Sequence, residues 1–323
     1  MKRFIRSILY WLGSRYYRLR WTKLVWWHIA NRGARRQYRA IRLLLTDREQ
    51  KITLRLREEG IAVANARDLV GGETVEALAA FARRQWERPD VVRAVAEHRE
   101  MLLGERDRGG TKKAFLVDLW GGSAILDLEH LFIRFSLSDA ILRVVATYLG
   151  LAPKFRGWRL EATIPTPPGV DRKASQRWHR DEEDRRLVKV FLYLTDVREG
   201  DGPFSYVRHS QQSARWGELF PMVPPRGSLP MPSYVDELIP SDEVLVCGGG
   251  TGTIIFCDTT GLHRGGFATT GHRIMYTSIY TSAASPWPIR YRYPEPFDGS
   301  ILSPLARYAV LNNPNQREPR FYR

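Results

Sequence analysis

Gln176-Arg177-Trp178-His179-Arg180-Asp181 leads, after a short charged turn, into Leu187-Val188-Lys189-Val190-Phe191-Leu192-Tyr193-Leu194. In the second run Val188, Val190, Leu192 and Leu194 take alternate positions, and a period of two places them on one face of a β-strand. The same period recurs upstream at Trp158, Leu160, Ala162 and Ile164, and downstream at Ile274, Tyr276, Ser278 and Tyr280. Between these runs lie Pro165-Thr166-Pro167-Pro168-Gly169 and Glu199-Gly200-Asp201-Gly202-Pro203, compositions that turn the chain. Short strands punctuated in this way predict a double-stranded β-helix, or jelly roll, for the second half of the protein.

Ahead of Gly150 the period is helical. Residues 73–88 and 91–103 read as two helices separated by Pro89 and ended by Gly104. A third helix has Ser138 as its N-cap, Ile141, Leu142, Val144, Val145 and Leu149 as its buried stripe, and Gly150 as its stop. The expected class is therefore mainly β with flanking helices: a jelly roll preceded by a helical N-terminal region.

The chain has 323 residues, 43% hydrophobic, enough for one large domain with helical additions. Its formal charge of +15 is unevenly spread. Residues 1–57 hold sixteen Lys or Arg against only Asp47 and Glu49, which leaves the remainder close to neutral. The division expected is a basic amphipathic helical extension over residues 1–57 and a jelly-roll domain with N-terminal helices over 58–323. In the extension, cations alternate with Phe4, Ile5, Ile8, Leu9, Trp11, Trp21, Trp26 and Trp27. Such a segment suits an anionic membrane surface, with the aromatic rings at headgroup level. Nucleic acid is the weaker reading, because no recognition motif accompanies the charge. The apolar stretch 4–12 is broken by Arg6 and has no small-residue cleavage site, so it reads as neither signal peptide nor spanning helix. Cys247 and Cys257 are too few for a disulfide framework and lack zinc-type spacing. They read as small core residues in a reducing, cytoplasmic compartment, peripheral on the inner face of a membrane if the extension binds one.

His179 and Asp181 are two residues apart on an extended segment, so they point to the same side while Arg180 points away. Two histidines and one carboxylate make a facial triad that leaves open positions on an octahedral ferrous ion. The third ligand expected is His263, in Gly261-Leu262-His263-Arg264-Gly265-Gly266, after the strand-like run 253–257. Arg273, which opens the following strand, offers a planar fork for the distal carboxylate of 2-oxoglutarate. Gln176 is expected beside that cosubstrate and Trp178 in the pocket, with simple packing as the alternative for both. His209 and His272 lie beside turns, and His28, His98 and His130 fall outside the pattern. Gly248-Gly249-Gly250-Thr251-Gly252 lacks the lysine of a phosphate loop and reads as a turn.

Taken in order, Q-x-W-H-x-D, an apolar strand, a D-G-P-F-S-Y-V turn, G-T-I-I-F-C-D-T, L-H-R-G-G and then Arg273 resemble the phytanoyl-CoA dioxygenase family over roughly residues 135–283. The resemblance implies a jelly roll, Fe(II), 2-oxoglutarate and O2, and hydroxylation of an unactivated C–H bond with release of succinate and CO2. It also implies His179, Asp181 and His263 as ligands and Arg273 as cosubstrate anchor. Related halogenating enzymes have a small residue where Asp181 stands, so hydroxylation is the reaction implied. Where many members show P-G-S-H, this chain has Arg208-His209-Ser210-Gln211, and no role is carried over from that loop.

The substrate expected is a small molecule, anionic or lipid-linked. Arg156, Arg159, Arg172, Arg177, Arg180, Arg185 and Arg186 suggest the anionic character, against a solvated mixed-charge loop as the alternative. Two rival readings stand beside the oxygenase: a non-catalytic jelly-roll binding module, and a membrane-tethered interaction protein acting through residues 1–57.

Overall fold

The computed structural model describes residues 11–311 apart from 12, 14, 17, 105–112, 123 and 222–227. Most of the apolar stretch 4–12 therefore lies outside the described residues. Nine strands are described: β1 (Ile61–Asn65), β2 (Leu116–Asp118), β3 (Lys154–Thr163), β4 (Leu187–Tyr193), β5 (Phe204–Val207), β6 (Val244–Cys247), β7 (Thr253–Cys257), β8 (His263–Arg264) and β9 (Arg273–Thr281). Six form an antiparallel sheet in the order β1-β7-β4-β9-β3-β2, and three form a second in the order β6-β5-β8. From β3 onward the chain crosses repeatedly between the two.

The alternation in β4 explains why both of its faces are buried. Val188, Val190 and Leu192 join Ile254, Phe256, Ile274, Tyr276 and Tyr280 in the core beneath the helices. Phe191 and Tyr193 point the other way, where they meet Ile255 and Cys257 of β7, Phe204 and Tyr206 of β5, and Cys247 of β6 between the sheets. Both cysteines are free and buried, as their composition suggested.

The expected helices form at Gly72–Trp86, Pro89–Leu103 and Asp139–Leu149, the last with its apolar stripe buried and Gly150 in the left-handed conformation that stops it. Helices nonetheless account for more of the described residues than strands do, so the protein is a mixed α/β structure and not a mainly β one. The excess comes from the N-terminal part. Helix Asp47–Glu59 carries a capping box between Thr46 and Glu49, and Gly60 ends it at φ +80. A Cβ on Gly60 would meet the Tyr206 hydroxyl at 2.3 Å, so glycine is required there for both conformation and space. Phe204–Val207, expected within a turn, is instead β5, because Phe204, Tyr206 and Val207 all find apolar partners.

Residue 57 is not a packing boundary. Trp21, Trp26, Ala34, Ile52 and Leu56 belong to the main core. Trp26 Nε1 donates to Asp184 Oδ1 at 2.7 Å, and Arg20 Nε donates to Ala284 O at 2.8 Å. The rings of Trp21 and Trp26, expected at lipid headgroup level, are thus spent on packing; Trp11, Leu19, Leu24 and Ile29 remain exposed. No helix among the described residues is long and apolar enough to cross a membrane.

Candidate metal centre and cavity

His179 and His263 meet edge to edge across the smaller sheet. His179 N donates to His263 O at 2.9 Å, and His263 N donates to His179 O at 3.0 Å. This pairing sets the two rings 4.1 Å apart. Asp181 is held in the same extended segment by Asp181 N donating to Thr259 O at 2.8 Å. One ligand atom from each of His179, Asp181 and His263 falls within 4.8 Å of the others. The nearest carboxylate oxygens lie 3.9 Å from His179 Nε2 and 3.5 Å from His263 Nε2.

The tautomers follow from the other ring nitrogens. His179 Nδ1 lies 2.9 Å from Arg177 O, and His263 Nδ1 lies 3.0 Å from Gly261 O. A carbonyl only accepts, so each Nδ1 carries the proton and each Nε2 offers its lone pair to the shared point. Burial pulls both imidazoles below the ordinary histidine range, His263 to about 3, which keeps them neutral and able to coordinate near pH 7. Burial would raise the Asp181 carboxyl, but Lys189 and then the two imidazoles outweigh it and hold the group well below the usual carboxylate range. Lys189 Nζ donates to Asp181 Oδ2 at 2.6 Å and to Glu183 Oε1 at 3.1 Å.

Arg180 points away from the triad, as the period of two requires. Its guanidinium donates to the carbonyls of Ser210, Trp216, Leu219, Phe220 and Thr260, tying the loop after β5 to the segment that bears His179 and Asp181. Of the seven arginines considered for an anionic substrate, only Arg159 lines the cavity. Arg156 and Arg185, like Arg180, are used on main-chain carbonyls.

The triad opens on a cavity of ≈ 260 Å³ that also contains Thr163, Lys189, Phe191, Phe204, Met275 and Arg273. Arg273 is 2% exposed. Its Nη1 donates to Gly202 O at 2.6 Å and its Nη2 to Thr163 Oγ1 at 3.0 Å, while Nε has no partner. Among the described residues no carboxylate forms an ion pair with it. A buried guanidinium without an anion is costly, and this one lines the cavity that holds the triad.

Gln176 is not brought to that cavity. Its Oε1 accepts from Lys173 N at 3.1 Å to close a turn, and its side chain lines a separate small space with Leu102, Thr166 and Lys173. Trp178 is buried against Val207, Val235 and Leu262, with Arg264 over its ring. Four of the five remaining histidines have local contacts. His209 contacts Glu243, His272 stacks on Trp86, His130 caps helix Leu131–Ser136, and His98 faces Ala114 O. Lys189 and Glu183 were missed from the sequence, although the inward face of β4 was legible there: Lys189 is the one charged residue in an otherwise apolar run.

No family model and no curated protein sequence matches the chain, so the likeness to the phytanoyl-CoA dioxygenase family remains one of motifs. Several solved structures are similar in shape. One is the epimerase SnoN in complex with Fe3+, alpha ketoglutarate and nogalamycin RO, at 15% identity over 80% of this chain and 93% of that one, TM-score 0.49. EctD from S. alaskensis in its apoform matches at 13% identity over 86% and 89%, TM-score 0.49. AviO1 from Streptomyces viridochromogenes Tue57 matches at 16% identity over 76% and 99%, TM-score 0.47.

Proposed function

We propose that the chain is an Fe(II)- and 2-oxoglutarate-dependent oxygenase that hydroxylates a small-molecule substrate, using O2 and releasing succinate and CO2. The observation that carries this reading is Arg273. It is a buried guanidinium with an orphan Nε and no carboxylate partner among the described residues, and it lines the same cavity as two Nε2 lone pairs and the Asp181 carboxylate. Residues of this kind fit both groups: a hard-to-borderline N,N,O set for ferrous iron, and a forked cation for a dicarboxylate. The same reading takes the two sheets as the halves of a double-stranded β-helix, supported by the order in which the chain crosses between them.

Ferrous iron with 2-oxoglutarate would supply activation of O2. The protein's own residues do the rest. His179, Asp181 and His263 would hold the ion on one side only, Asp181 filling a position that a small residue would leave open. Arg273, steadied by Gly202 and Thr163, would fix the far carboxylate of the cosubstrate. Phe191, Phe204 and Met275 wall the cavity with apolar surface and would limit water there.

Anaerobic titration of the purified protein with Fe(II) and 2-oxoglutarate tests the reading. The expected result is the weak visible charge-transfer band of a chelated 2-oxo acid, lost in His179→Ala and weakened in Arg273→Met. Folded wild-type protein that binds neither would leave the binding-module reading in its place.

For residues 1–57 the exposed Trp11, Leu19, Leu24 and Ile29 among many cations favour a second reading, contact with an anionic membrane surface. Co-sedimentation with phosphatidylglycerol vesicles but not phosphatidylcholine vesicles is its expected outcome, and equal behaviour with both removes it.

A further inference from the structure

The cavity has two chemically different ends. The inward residues of β9 run Arg273, Met275, Thr277, Ile279; Arg273 is registered against Thr163 of β3, and Ile279 against Lys189 of β4. At about 3.3 Å per residue the first and last of these lie on the order of 20 Å apart along the strand. Arg273 defines the cosubstrate end. Lys189, with Glu183 and Arg290 beside it, marks the other end; Arg159 and Glu161, registered against Thr277 and Met275, lie between, and the Lys113 ammonium reaches toward Arg159, Glu161 and Lys189.

Charges at that far end do not balance. Lys189 Nζ lies 3.1 Å and Arg290 Nη2 3.9 Å from the same oxygen, Glu183 Oε1. Glu183 is 8% exposed and its Oε2 has no partner, so one carboxylate serves two cations through one oxygen. Arg159 pairs with Glu161 at 3.2 Å. Lys113, at the rim, forms no ion pair among the described residues. Four cations thus face two carboxylates, apart from Asp181, which also holds Lys189 at 2.6 Å. Once Asp181 gives its charge to a metal, Lys189 loses most of that compensation, and the end opposite Arg273 is left positive inside a partly desolvated cavity. An anion there relieves the imbalance.

We propose that this end is the substrate-recognition subsite and takes an anionic group, a phosphate or comparable oxyanion, with Lys189 and Lys113 as its principal contacts. Glu183 acts as a positioning residue that holds Lys189 and Arg290 toward the same space. The inference rests on the oxygenase reading for the state in which Asp181 is committed to metal, and names the substrate class of that same site. Arg273 is not among these residues, so the cosubstrate anchor and the anion subsite can be tested by separate substitutions.

The experiment is calorimetric titration of phenyl phosphate, with benzyl alcohol as the uncharged control. It is run on metal-free protein and, anaerobically, on protein loaded with Fe(II) and 2-oxoglutarate, with the charge-transfer band recorded in the same loaded samples. Phenyl phosphate is expected to bind both forms, more tightly after loading. Affinity of the loaded protein should fall at least tenfold in Lys189→Met and in Lys113→Met, and recover in Lys189→Arg. Circular dichroism establishes that each variant is folded. Binding that is indifferent to Lys189 and Lys113, or no tighter than that of benzyl alcohol, overturns the proposal while an intact band preserves the oxygenase reading. Lysine-dependent phosphate binding without any band does the reverse, sinking the oxygenase and leaving an anion site.

Discussion

His179 and His263 exchange two backbone hydrogen bonds, of 2.9 and 3.0 Å, and this reciprocal pair is what turns two distant histidines into neighbouring candidate ligands. Each ring is then oriented by a carbonyl two residues before it, Arg177 O or Gly261 O. The candidate metal site is therefore built by main-chain pairing first and by side-chain chemistry second.

Ligand removal should follow from that geometry. His263→Ala and Asp181→Ala are expected to weaken Fe(II) binding beyond the ~10–100-fold that losing a supporting partner costs at metal sites. Thermal unfolding of each metal-free variant, recorded alongside, separates loss of the ion from loss of the fold, because the buried His263 ring also donates to Gly261 O. Equal Fe(II) affinity in wild type and both variants, measured by anaerobic equilibrium dialysis, would show that the ion sits elsewhere.

Arg273→Met separates binding from stability. Losing one partner of a buried charge pair costs roughly 2–5 kcal/mol, so 2-oxoglutarate affinity should drop by more than tenfold. The metal-free variant should be as stable as wild type or more so, because the guanidinium lacks a carboxylate partner among the described residues. A variant that is strongly destabilised yet binds the cosubstrate normally would reassign Arg273 to the scaffold.

Arg180 should behave in the opposite way. Its replacement by Met leaves five carbonyls short of a donor, two of them buried, at ~1–3 kcal/mol for each buried one where nothing compensates. The denaturation midpoint should fall steeply. Urea curves that overlay wild type would mean that the loop after β5 is held by other contacts.

Trp26→Ala tests whether the N-terminal helices belong to the domain. The ring is buried, and loss of a buried Trp typically costs ~3–5 kcal/mol. A melting temperature equal to wild type would instead describe an arm independent of the sheet.

Lys154 gives stability a pH dependence. Its ammonium donates to Tyr308 O and Leu311 O at 2.5 and 2.6 Å, yet burial, with Arg156 adding repulsion, pulls its pKa down to about 7. An unfolded lysine titrates near 10.4. Between about pH 7 and 10 the unfolded chain therefore binds more protons than the native one, so this group makes unfolding free energy rise with pH across that window and adds no slope below it. Lys154→Met should gain most relative to wild type near pH 7 and lose that advantage toward about pH 9.5. A constant difference across the range would show that Lys154 keeps its ordinary pKa in the fold.

The sequence by itself determined the local geometry. Alternation named β3, β4 and β9, helical spacing with Gly150 named the helix Asp139–Leu149, and H-x-D named two residues that share a side, because each of these depends on neighbours a few positions apart. Tertiary structure decided what depends on distant pairing. The His179–His263 ladder fixed the place of the third candidate ligand, and long-range packing drew Trp21 and Trp26 into the main core. The turn that takes up the Gln176 carboxamide drew it away from the cavity. Lys189 shows the division most plainly: its strand and its facing were legible from a period of two, but the Asp181 and Glu183 oxygens that meet its ammonium come from a loop whose course no local pattern encodes.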